Sequence, residues 1–524
     1  MWTPLLQAEE RQAELCAPGD TGEALQYLRR LSLDIRGHLP SMEELSSVAS
    51  NKEVDPAIIR QMLRSDGFLS TMRSFHRDLL WVNVKNQALT NNDFRIQRQF
   101  TENDSNPNQN SPSFTISFQR RQTWRSGGAA CLDEPARFDP SSGEILTTFD
   151  SQTGAHREGW VEVEPYWAPG TRIKVCAFEA QASLRGVNDR GREVECWQRE
   201  AVRAKACGCG PNLRWCESRN DFTRETILSA FNEQVHRFVE QIVRQERPYS
   251  DLLLGKHIEV NGPLSHYYRH LSRSGYRVFD SSPIQNHPIP EISFEHKEQW
   301  ETVTRELRHS GVLTLPAFLT KFPTGRSRAN RFYNAFLCRS FEAPEGGLPA
   351  SEDECQNEPD LSKRCGCKYC HAGLEPAAAY WGRWAENGVR AMNESEFPIR
   401  DQNCVNEARL GRSSERCRLY YLSEAQHPSE QAFVGYLKPY VFADEDRQVR
   451  IEKGPEEIVT EAIESGAFAR CTARNLWAFL VDASITLEDP ILDPFATSFG
   501  SDYDLFAILE RILRDERYIK AGRF

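Results

Sequence analysis

Fifteen cysteines in 524 residues constrain this chain more than any other feature of its sequence. Most of them lie in irregular segments with glycine and proline, where disulfides commonly replace a missing hydrophobic core. This usage favours an oxidising compartment, so we expect an extracytoplasmic protein that is periplasmic, outer-membrane-associated or extracellular. The N-terminus lacks a basic start followed by an apolar core, so we expect that a signal sequence has been removed from the chain.

The composition narrows the class of partner. The formal net charge of -11 argues against a nucleic-acid partner, because a protein that binds nucleic acid must neutralise phosphates. Hydrophobic residues make up 39% of the chain and charged residues 27%, which is typical of globular domains. No apolar run reaches the roughly 18 residues of a transmembrane helix, so no transmembrane segment is predicted.

Two of the cysteines belong to a motif with a chemistry of its own. The run Cys367-Lys368-Tyr369-Cys370-His371 reads Cys-x-x-Cys-His, the attachment signature of a covalent c-type haem. Cys367 and Cys370 would add to the haem vinyl groups as thioethers, and His371 would be the proximal iron ligand. The motif therefore predicts one covalently bound haem c.

Residues elsewhere in the chain are candidates to complete this site. We expect Trp381 and Trp384, which follow the motif, to pack against the haem as apolar cover. The sixth iron ligand is open between Met392 and His76. The other histidines considered for this position are His236, His266 and His270. An empty sixth position would favour peroxide or oxygen chemistry over electron transfer.

Two other interpretations of the motif are open. Cys365 lies two residues before Cys367, so these cysteines could form a disulfide instead of holding haem. Zinc is the second rival, although the spacing is cramped for four ligands on one ion. Its ligands would be Cys365, Cys367, Cys370 and His371, with help from Cys207, Cys209 and Cys216.

The remaining cysteines allow two predictions. A cluster in the middle of the chain is expected to form disulfides, with two upstream cysteines as partners. The cluster is Cys207, Cys209 and Cys216, and the partners are Cys176 and Cys196. Haem at Cys367 and Cys370 would leave an odd number of other cysteines, which requires at least one free or intermolecular thiol. Cys16, isolated near the N-terminus, is the candidate.

Hydrophobic periodicity predicts a mainly α fold, with helical domains and a disulfide-tied β-rich insertion. The clearest amphipathic helix begins at Asp221 and ends before Pro248. Ser41, with Glu44 three residues later, predicts a capping box at the start of another helix. Further helices are predicted over 263–272, 295–309, 315–321, 326–338 and 375–387.

Changes of pattern divide the chain into five predicted units. Strand-like runs such as Trp160–Val163, punctuated by proline and glycine, are confined to one of them. The units are an N-terminal helical domain (1–89), a β-rich cysteine-containing insertion (90–221), a helical domain (222–340), a haem-motif domain with irregular loops (341–454) and a C-terminal helical domain (455–524).

Four segments in a fixed order carry a resemblance to a known family. Three read RRLSLDIRGHLP at 29–40, RPYSDLL at 247–253 and GVLTLPAFL at 311–319. The fourth is the haem motif, followed by Glu375-Pro376 and Gly388-Val389-Arg390. Together they resemble the planctomycete-type cytochrome-associated proteins, also common in myxobacteria, which are exported chains built from domains of unknown function.

The resemblance implies an exported haem protein, with two departures from the family pattern. Glu375 stands where the family has aspartate, and three alanines at 377–379 replace a Pro-x-Gly-Phe pattern. The first hypothesis is an exported mono-haem c-type cytochrome-like protein with an electron-transfer or redox role in an envelope or extracellular complex. The alternative is a disulfide-stapled, non-catalytic structural or assembly subunit of the cell surface, without haem. Both expect a redox or structural protein partner, which includes further copies of the chain.

Overall fold

The computed structural model describes residues 20–90, 94–99, 114–117, 131–152, 154–219, 221–273, 289–305, 308–341 and 354–520. The fold is mostly helical, and a strand-rich region over 137–218 carries several disulfides. This confirms the predicted fold class. Cys16, the predicted free or intermolecular thiol, lies outside the described residues.

The N-terminal part is a group of four helices. They are α1 Asp20–Arg36, α2 Met42–Asn51, α3 Pro56–Leu63 and α4 Asp66–Leu80. Ser41 caps α2, since its hydroxyl accepts the Glu44 amide at 3.1 Å and the Glu44 carboxylate accepts the Ser41 amide at 2.7 Å. The predicted capping box is therefore confirmed.

The strand-rich region follows. Its strands are β1 Arg95–Gln99, β2 Phe114–Ser117, β3 Arg137–Phe138, β4 Ile145–Leu146, β5 Thr148–Asp150, β6 Ala155–Arg157, β7 Trp160–Val163, β8 Ile173–Cys176, β9 Arg185–Val187, β10 Glu193–Glu195 and β11 Glu217–Ser218. One sheet has the order β11-β1-β2-β8-β7, in which β1–β2 and β7–β8 are antiparallel and β1–β11 and β2–β8 are parallel. The pairs β3–β4, β5–β6 and β9–β10 form small antiparallel ribbons.

Three disulfides tie this region together. They join Cys131 to Cys176, Cys196 to Cys207, and Cys209 to Cys216. The expectation that the Cys207 cluster forms disulfides is confirmed, and Cys196 is the partner of Cys207. Cys176 pairs instead with Cys131, because strand β8 brings it beside the start of the region. Four of these cysteines lie in a small core of their own, with Phe94, Leu213 and Trp215.

The next part is helical again, with one short hairpin. Its elements are α5 Thr223–Arg244, α6 Asp251–Leu254, β12 His257–Val260, α7 Gly262–Arg269, β13 Glu301–Thr304, α8 Pro316–Lys321 and α9 Gly325–Phe336. The helix predicted over 295–309 is wrong, because β13 pairs antiparallel with β12. Three consecutive β-branched residues, Thr302, Val303 and Thr304, favour the strand, and the Thr302 hydroxyl donates to Glu259 at 2.8 Å.

The final part begins with the helix of the haem motif. The helices are α10 Lys368–Ala379, α11 Gln402–Arg409, α12 Glu415–Tyr420, α13 Glu445–Lys453, α14 Pro455–Glu464, α15 Ala467–Leu480, α16 Asp493–Phe499, α17 Leu505–Leu513 and α18 Glu516–Lys520. The helix predicted over 375–387 therefore starts earlier, includes most of the motif and ends at Ala379, before the predicted end. Among the helices in the described ranges, none has both the length and the apolar composition that crossing a bilayer requires.

One hydrophobic core runs through most of the molecule. Buried side chains from four of the five predicted units belong to it, represented by Leu31, Phe231, Trp381 and Leu509. Residues of the strand-rich region join it only at its edge, through Tyr166 and Trp167. The division into five domains stays a prediction, and the helical units pack as one body.

Candidate functional site

The haem motif contains the unpaired cysteines of the described chain. Twelve of the fourteen described cysteines form six disulfides. Only Cys367 and Cys370 are free among these residues, and both are half-buried. The structure contains no disulfide between Cys365 and the motif cysteines, because Cys365 pairs with Cys355. Four cysteines of the zinc interpretation are not available as thiolates, because they form disulfides. They are Cys207, Cys209, Cys216 and Cys365.

A disulfide-closed loop leads into the motif. Residues 355–365 form the loop, and Asp360 orders it by accepting the Ser362 amide at 3.0 Å. The Arg364 side chain donates to the Glu358 carbonyl oxygen at 2.5 Å. Gly366 follows with a φ of +74°, a left-handed conformation that glycine adopts without the cost of a Cβ. The chain can then turn directly from the disulfide into α10.

Helix α10 puts the three motif residues on one face. Cys367 occupies the N-cap, and the His371 amide donates to its carbonyl oxygen at 3.0 Å. Positions 367, 370, 371, 374 and 375 recur at intervals of three and four residues, which places them along the same side of a helix. The two thiols and the imidazole are therefore neighbours because of helical geometry alone.

His371 is held by the carboxylate one turn further along. Its Nδ1 lies 2.6 Å from Oε1 of Glu375. Its Nε2 makes no hydrogen bond to any residue that the structure describes. The side chain is 22% exposed, so Nε2 is open to a ligand while Nδ1 is committed to the protein.

Glu375 is in turn held by two arginines. Arg326 of α9 donates from Nε at 2.6 Å and from Nη2 at 3.2 Å, and Arg447 of α13 lies 3.9 Å away. Burial favours the neutral acid, but the hydrogen bonds from Arg326 and His371 and the positive charge of Arg326 outweigh it. The pKa of Glu375 is therefore below its ordinary value, and the carboxylate is ionised at neutral pH.

The open side of α10 carries a few further contacts. The Cys370 thiol lies 3.8 Å from the carbonyl oxygen of Phe341. The Phe341 ring packs against Tyr333 with centroids 4.7 Å apart. Gly373 faces the same ring, and a Cβ at this position would come within 3.3 Å of it. Tyr369 is 46% exposed beside the two thiols. The motif therefore lies at the surface with aromatic side chains at its edge.

Arg328 holds the turn that follows α10. Its side chain is fully buried and donates only to main-chain oxygens, at 2.9 Å to Phe322, 2.9 Å to Ala385 and 3.1 Å to Gly388. Burial lowers the pKa of Arg328 to about 10, so the guanidinium is still charged at neutral pH. These bonds join α9 to the turn that follows α10.

Trp381 and Trp384, the predicted haem cover, lie in the main core. Trp381 is 1% exposed, its Nε1 donates to the Leu313 carbonyl oxygen at 3.4 Å, and its ring lies 6.3 Å from that of Phe332. Trp384 is also buried in this core, and its main chain bridges to Ala391. Trp381 therefore has a hydrogen-bond partner in the protein, whereas Trp384 packs in the core with its Nε1 lacking a hydrogen-bond partner among the described residues.

The two candidate sixth ligands lie in other surroundings. Met392 is buried in a separate cluster with Phe397 and Tyr421. His76 is completely buried, with Nδ1 2.7 Å from the Met72 carbonyl oxygen and Nε2 2.8 Å from the Tyr249 hydroxyl. Neither of its ring nitrogens is free for iron. No hydrogen bond, ion pair or ring contact in the described part of the chain links Met392 or His76 to the motif.

Sequence reasoning missed two residues of this site, Glu375 and Arg326. Glu375 was visible only as a departure from a family pattern, although a histidine and a glutamate four residues apart on a helix commonly interact. Arg326 carries no such signal, because it lies 49 residues from Glu375 and reaches it from another helix. Only packing of α9 on α10 brings them together.

Two other clusters do not form a comparable site. Ligand atoms of Glu158, Cys176 and Glu179 lie within 4.8 Å of one another, but the Cys176 sulfur is bonded to Cys131. A cleft of about 540 Å³ is lined by Glu225, Glu233, Lys297, Glu298 and Trp300 among others. Two of its carboxylates already form ion pairs, with arginines 73, 224 and 237.

Comparison of the chain with protein-family models, with curated proteins and with solved structures finds no match. The family resemblance of the four ordered segments therefore stays a prediction, which rests on those segments and on the motif.

Proposed function

We propose that this chain is an exported mono-haem c-type cytochrome-like protein with an electron-transfer or redox role in an extracytoplasmic complex. The observation that carries the proposal is the distribution of thiols. Twelve of the fourteen described cysteines are in disulfides, and the two that are free are the two of the Cys-x-x-Cys-His motif. A motif that served only as a staple would be expected to take part in this pairing.

The residues present fit a covalent haem. Cys367 and Cys370 would hold it as thioethers, each formed when the S–H adds across a vinyl C=C bond. His371 would bind iron through Nε2, the ring nitrogen without a described protein partner. When bound, the haem supplies a one-electron couple between ferrous and ferric iron. The chain supplies the two attachment thiols, one axial ligand and the carboxylate that holds this ligand.

The disulfides support the proposed compartment. Six of them among the described residues are typical of proteins that mature outside the cytoplasm, where thiols are oxidised. Covalent haem attachment requires free thiols in that same environment. We propose a periplasmic, outer-membrane-associated or extracellular location, in keeping with the family that the four segments resemble.

An absorption spectrum of the full chain tests the proposal. The chain would be exported in a host that attaches c-type haem, and the spectrum recorded before and after dithionite. We expect a Soret band that shifts on reduction and stays with the polypeptide after denaturation. The double variant C367S/C370S should lose it, whereas C404S/C417S, which removes a disulfide distant in sequence, should keep it. A wild-type chain without bound haem would overturn the proposal.

The second candidate is a disulfide-stapled, non-catalytic assembly subunit. The observation that favours it is the exposure of large aromatic side chains, such as Trp81 at 64% and Phe222 at 65%, because aromatic residues are enriched at protein–protein interfaces. In this case the partner is structural and includes further copies of the chain. Light scattering on the purified chain would report such copies, and a haem-free dimer or larger assembly would favour this candidate.

A further inference from the structure

Three charged side chains behind the proposed axial ligand form a connected chain of hydrogen bonds. Arg326 donates to Glu375 through two nitrogens, at 2.6 and 3.2 Å. Glu375 then lies 2.6 Å from Nδ1 of His371. The arginine belongs to α9, while the carboxylate and the imidazole belong to α10. The contact is therefore set by the packing of two helices and not by one flexible side chain.

The carboxylate has little freedom to turn away from His371. Its side chain is 10% exposed, and the forked contact with Arg326 engages both of its oxygens. Arg447 lies 3.9 Å from Oε2 and adds a second positive charge on that side. Oε1 is therefore held in place to accept from His371.

This arrangement decides which ring nitrogen of His371 carries hydrogen. Both oxygens of Glu375 accept from Arg326, so this carboxylate serves as an acceptor and Nδ1 of His371 is the donor. In the neutral imidazole the lone pair is then on Nε2, and Nε2 has no partner among the described residues. The protein thus prepares the nitrogen that a metal would need.

We infer that Glu375 is the positioning residue for His371: held by Arg326, it selects the Nδ1–H tautomer and leaves Nε2 as the nitrogen that would bind the haem iron. This rests on the proposed haem function. A carboxylate behind a ligand histidine raises the basicity of that ligand and fixes the ring. The added electron density would favour ferric over ferrous iron, so Glu375 would lower the reduction potential of a bound haem.

Three variants of the haem-loaded full chain separate positioning from stability. Glu375→Gln removes the charge and keeps the size of the side chain, and Glu375→Asp keeps the charge. Glu386→Gln is the matched control. Glu386 accepts the Gly325 amide at 3.1 Å, and its negative charge favours the charged form of Arg326. It makes no hydrogen bond to His371. For each, we would measure haem content, reduction potential and the iron–histidine stretching frequency of the ferrous form by resonance Raman.

We expect Glu375→Gln to show the largest change in reduction potential and in the iron–histidine stretch. Its reduction potential should become more positive and its iron–histidine stretch should fall, because the ligand loses its anionic acceptor. Glu386→Gln should match the wild type, and Glu375→Asp should stay closer to the wild type than Glu375→Gln does. A Glu375→Gln protein that binds haem with both quantities unchanged would overturn the inference, as would an equal shift in Glu386→Gln.

A separate readout distinguishes this failure from failure of the proposed function. If the wild-type chain carries no haem, the proposed function is wrong, and the tautomer of His371 can be read from the full chain labelled with ¹⁵N-histidine. His371→Gln would identify the signal by difference. An Nδ1–H tautomer that is lost in Glu375→Gln supports the positioning role without haem, whereas an Nε2–H tautomer in the wild type overturns it.

Discussion

Individual residues in this protein show how burial decides the use of a side chain. Both ring nitrogens of His76 form hydrogen bonds, to Met72 and Tyr249. Among the described residues, His371 has a partner for Nδ1 only. His76 donates and accepts entirely within the core, between Met72 and Tyr249. Burial, which outweighs the favourable bond to Met72, lowers the pKa of His76 to about 4. A residue considered as an iron ligand is therefore part of the helical packing.

This shift makes stability depend on pH in a defined window. In the unfolded chain the pKa of histidine is about 6.5. Below that pH the unfolded state therefore binds a proton that folded His76 does not. Stability is therefore full above this pH and is lost as the pH falls toward 4. At about pH 5 the loss from this one group is about 2 kcal/mol.

The measurement is the free energy of unfolding in urea at pH 7 and at pH 5. His76→Gln should lose about 2 kcal/mol less than the wild type between these two conditions, whatever its stability at pH 7. His38→Gln, at an exposed position, is the control and should behave as the wild type does. An equal loss in His76→Gln and the wild type would contradict the prediction.

At the scale of elements, one disulfide loop and one helix make the candidate site. Cys365, the third cysteine near the motif, lies two residues before Cys367. Its disulfide with Cys355 keeps it from pairing with the motif cysteines. Helix α10 then presents Cys367, Cys370 and His371 on one face. A thiolate attacks a disulfide or is oxidised with whichever thiol it can reach, so a free Cys365 would compete for the motif cysteines.

A cysteine-removal series tests this role of the loop. Cys355→Ser leaves Cys365 unpaired, and we expect it to form a disulfide with Cys367 or Cys370 in an oxidising compartment. Cys355→Ser/Cys365→Ser should restore two free motif thiols. Alkylation of the full chain before and after reduction, followed by peptide mass analysis, counts these thiols. Equal loss of the motif thiols in the single and the double variant would contradict the competition.

Across the whole molecule, contacts between distant parts of the chain hold the core together. Arg30 of α1 donates to the carbonyl oxygens of Tyr518 at 2.5 Å and Leu480 at 2.9 Å, and the Tyr518 hydroxyl donates to Asp34 at 2.8 Å. The first and last described helices are thereby joined. The disulfide Cys338–Cys471 links the segment just after α9 to α15 across 133 residues.

The length of this disulfide loop leads to a stability prediction. A disulfide stabilises mainly by restricting the unfolded chain, and by more for longer loops, from about 3 kcal/mol for 15 residues to about 4.7 kcal/mol for 100 residues. Cys338→Ala/Cys471→Ala should therefore lower the free energy of unfolding more than Cys404→Ala/Cys417→Ala, whose partners are 13 residues apart. Urea unfolding of both variants measures this, and a larger loss for the short loop would contradict it.

Several features of the fold were predictable because they depend on neighbours in sequence. The capping box at Ser41, the long amphipathic helix α5 and the mainly α fold with its disulfide-tied strands follow from residue spacing over one or a few turns. The helix predicted over 295–309 was wrong for the opposite reason. Strand β13 carries a short β-branched run, but the strand β12 to which it is hydrogen-bonded lies about forty residues earlier in the chain.

The sequence by itself determined the motif Cys-x-x-Cys-His and the expectation of an oxidising setting that fifteen cysteines imply. Tertiary structure alone decided which of the described cysteines pair, that Cys367 and Cys370 are the two left free among them, and that Arg326 reaches Glu375 behind His371. The reason is physical. Helical spacing is fixed by the backbone, whereas disulfide partners and buried ion pairs depend on where the packing of a shared core brings distant segments together.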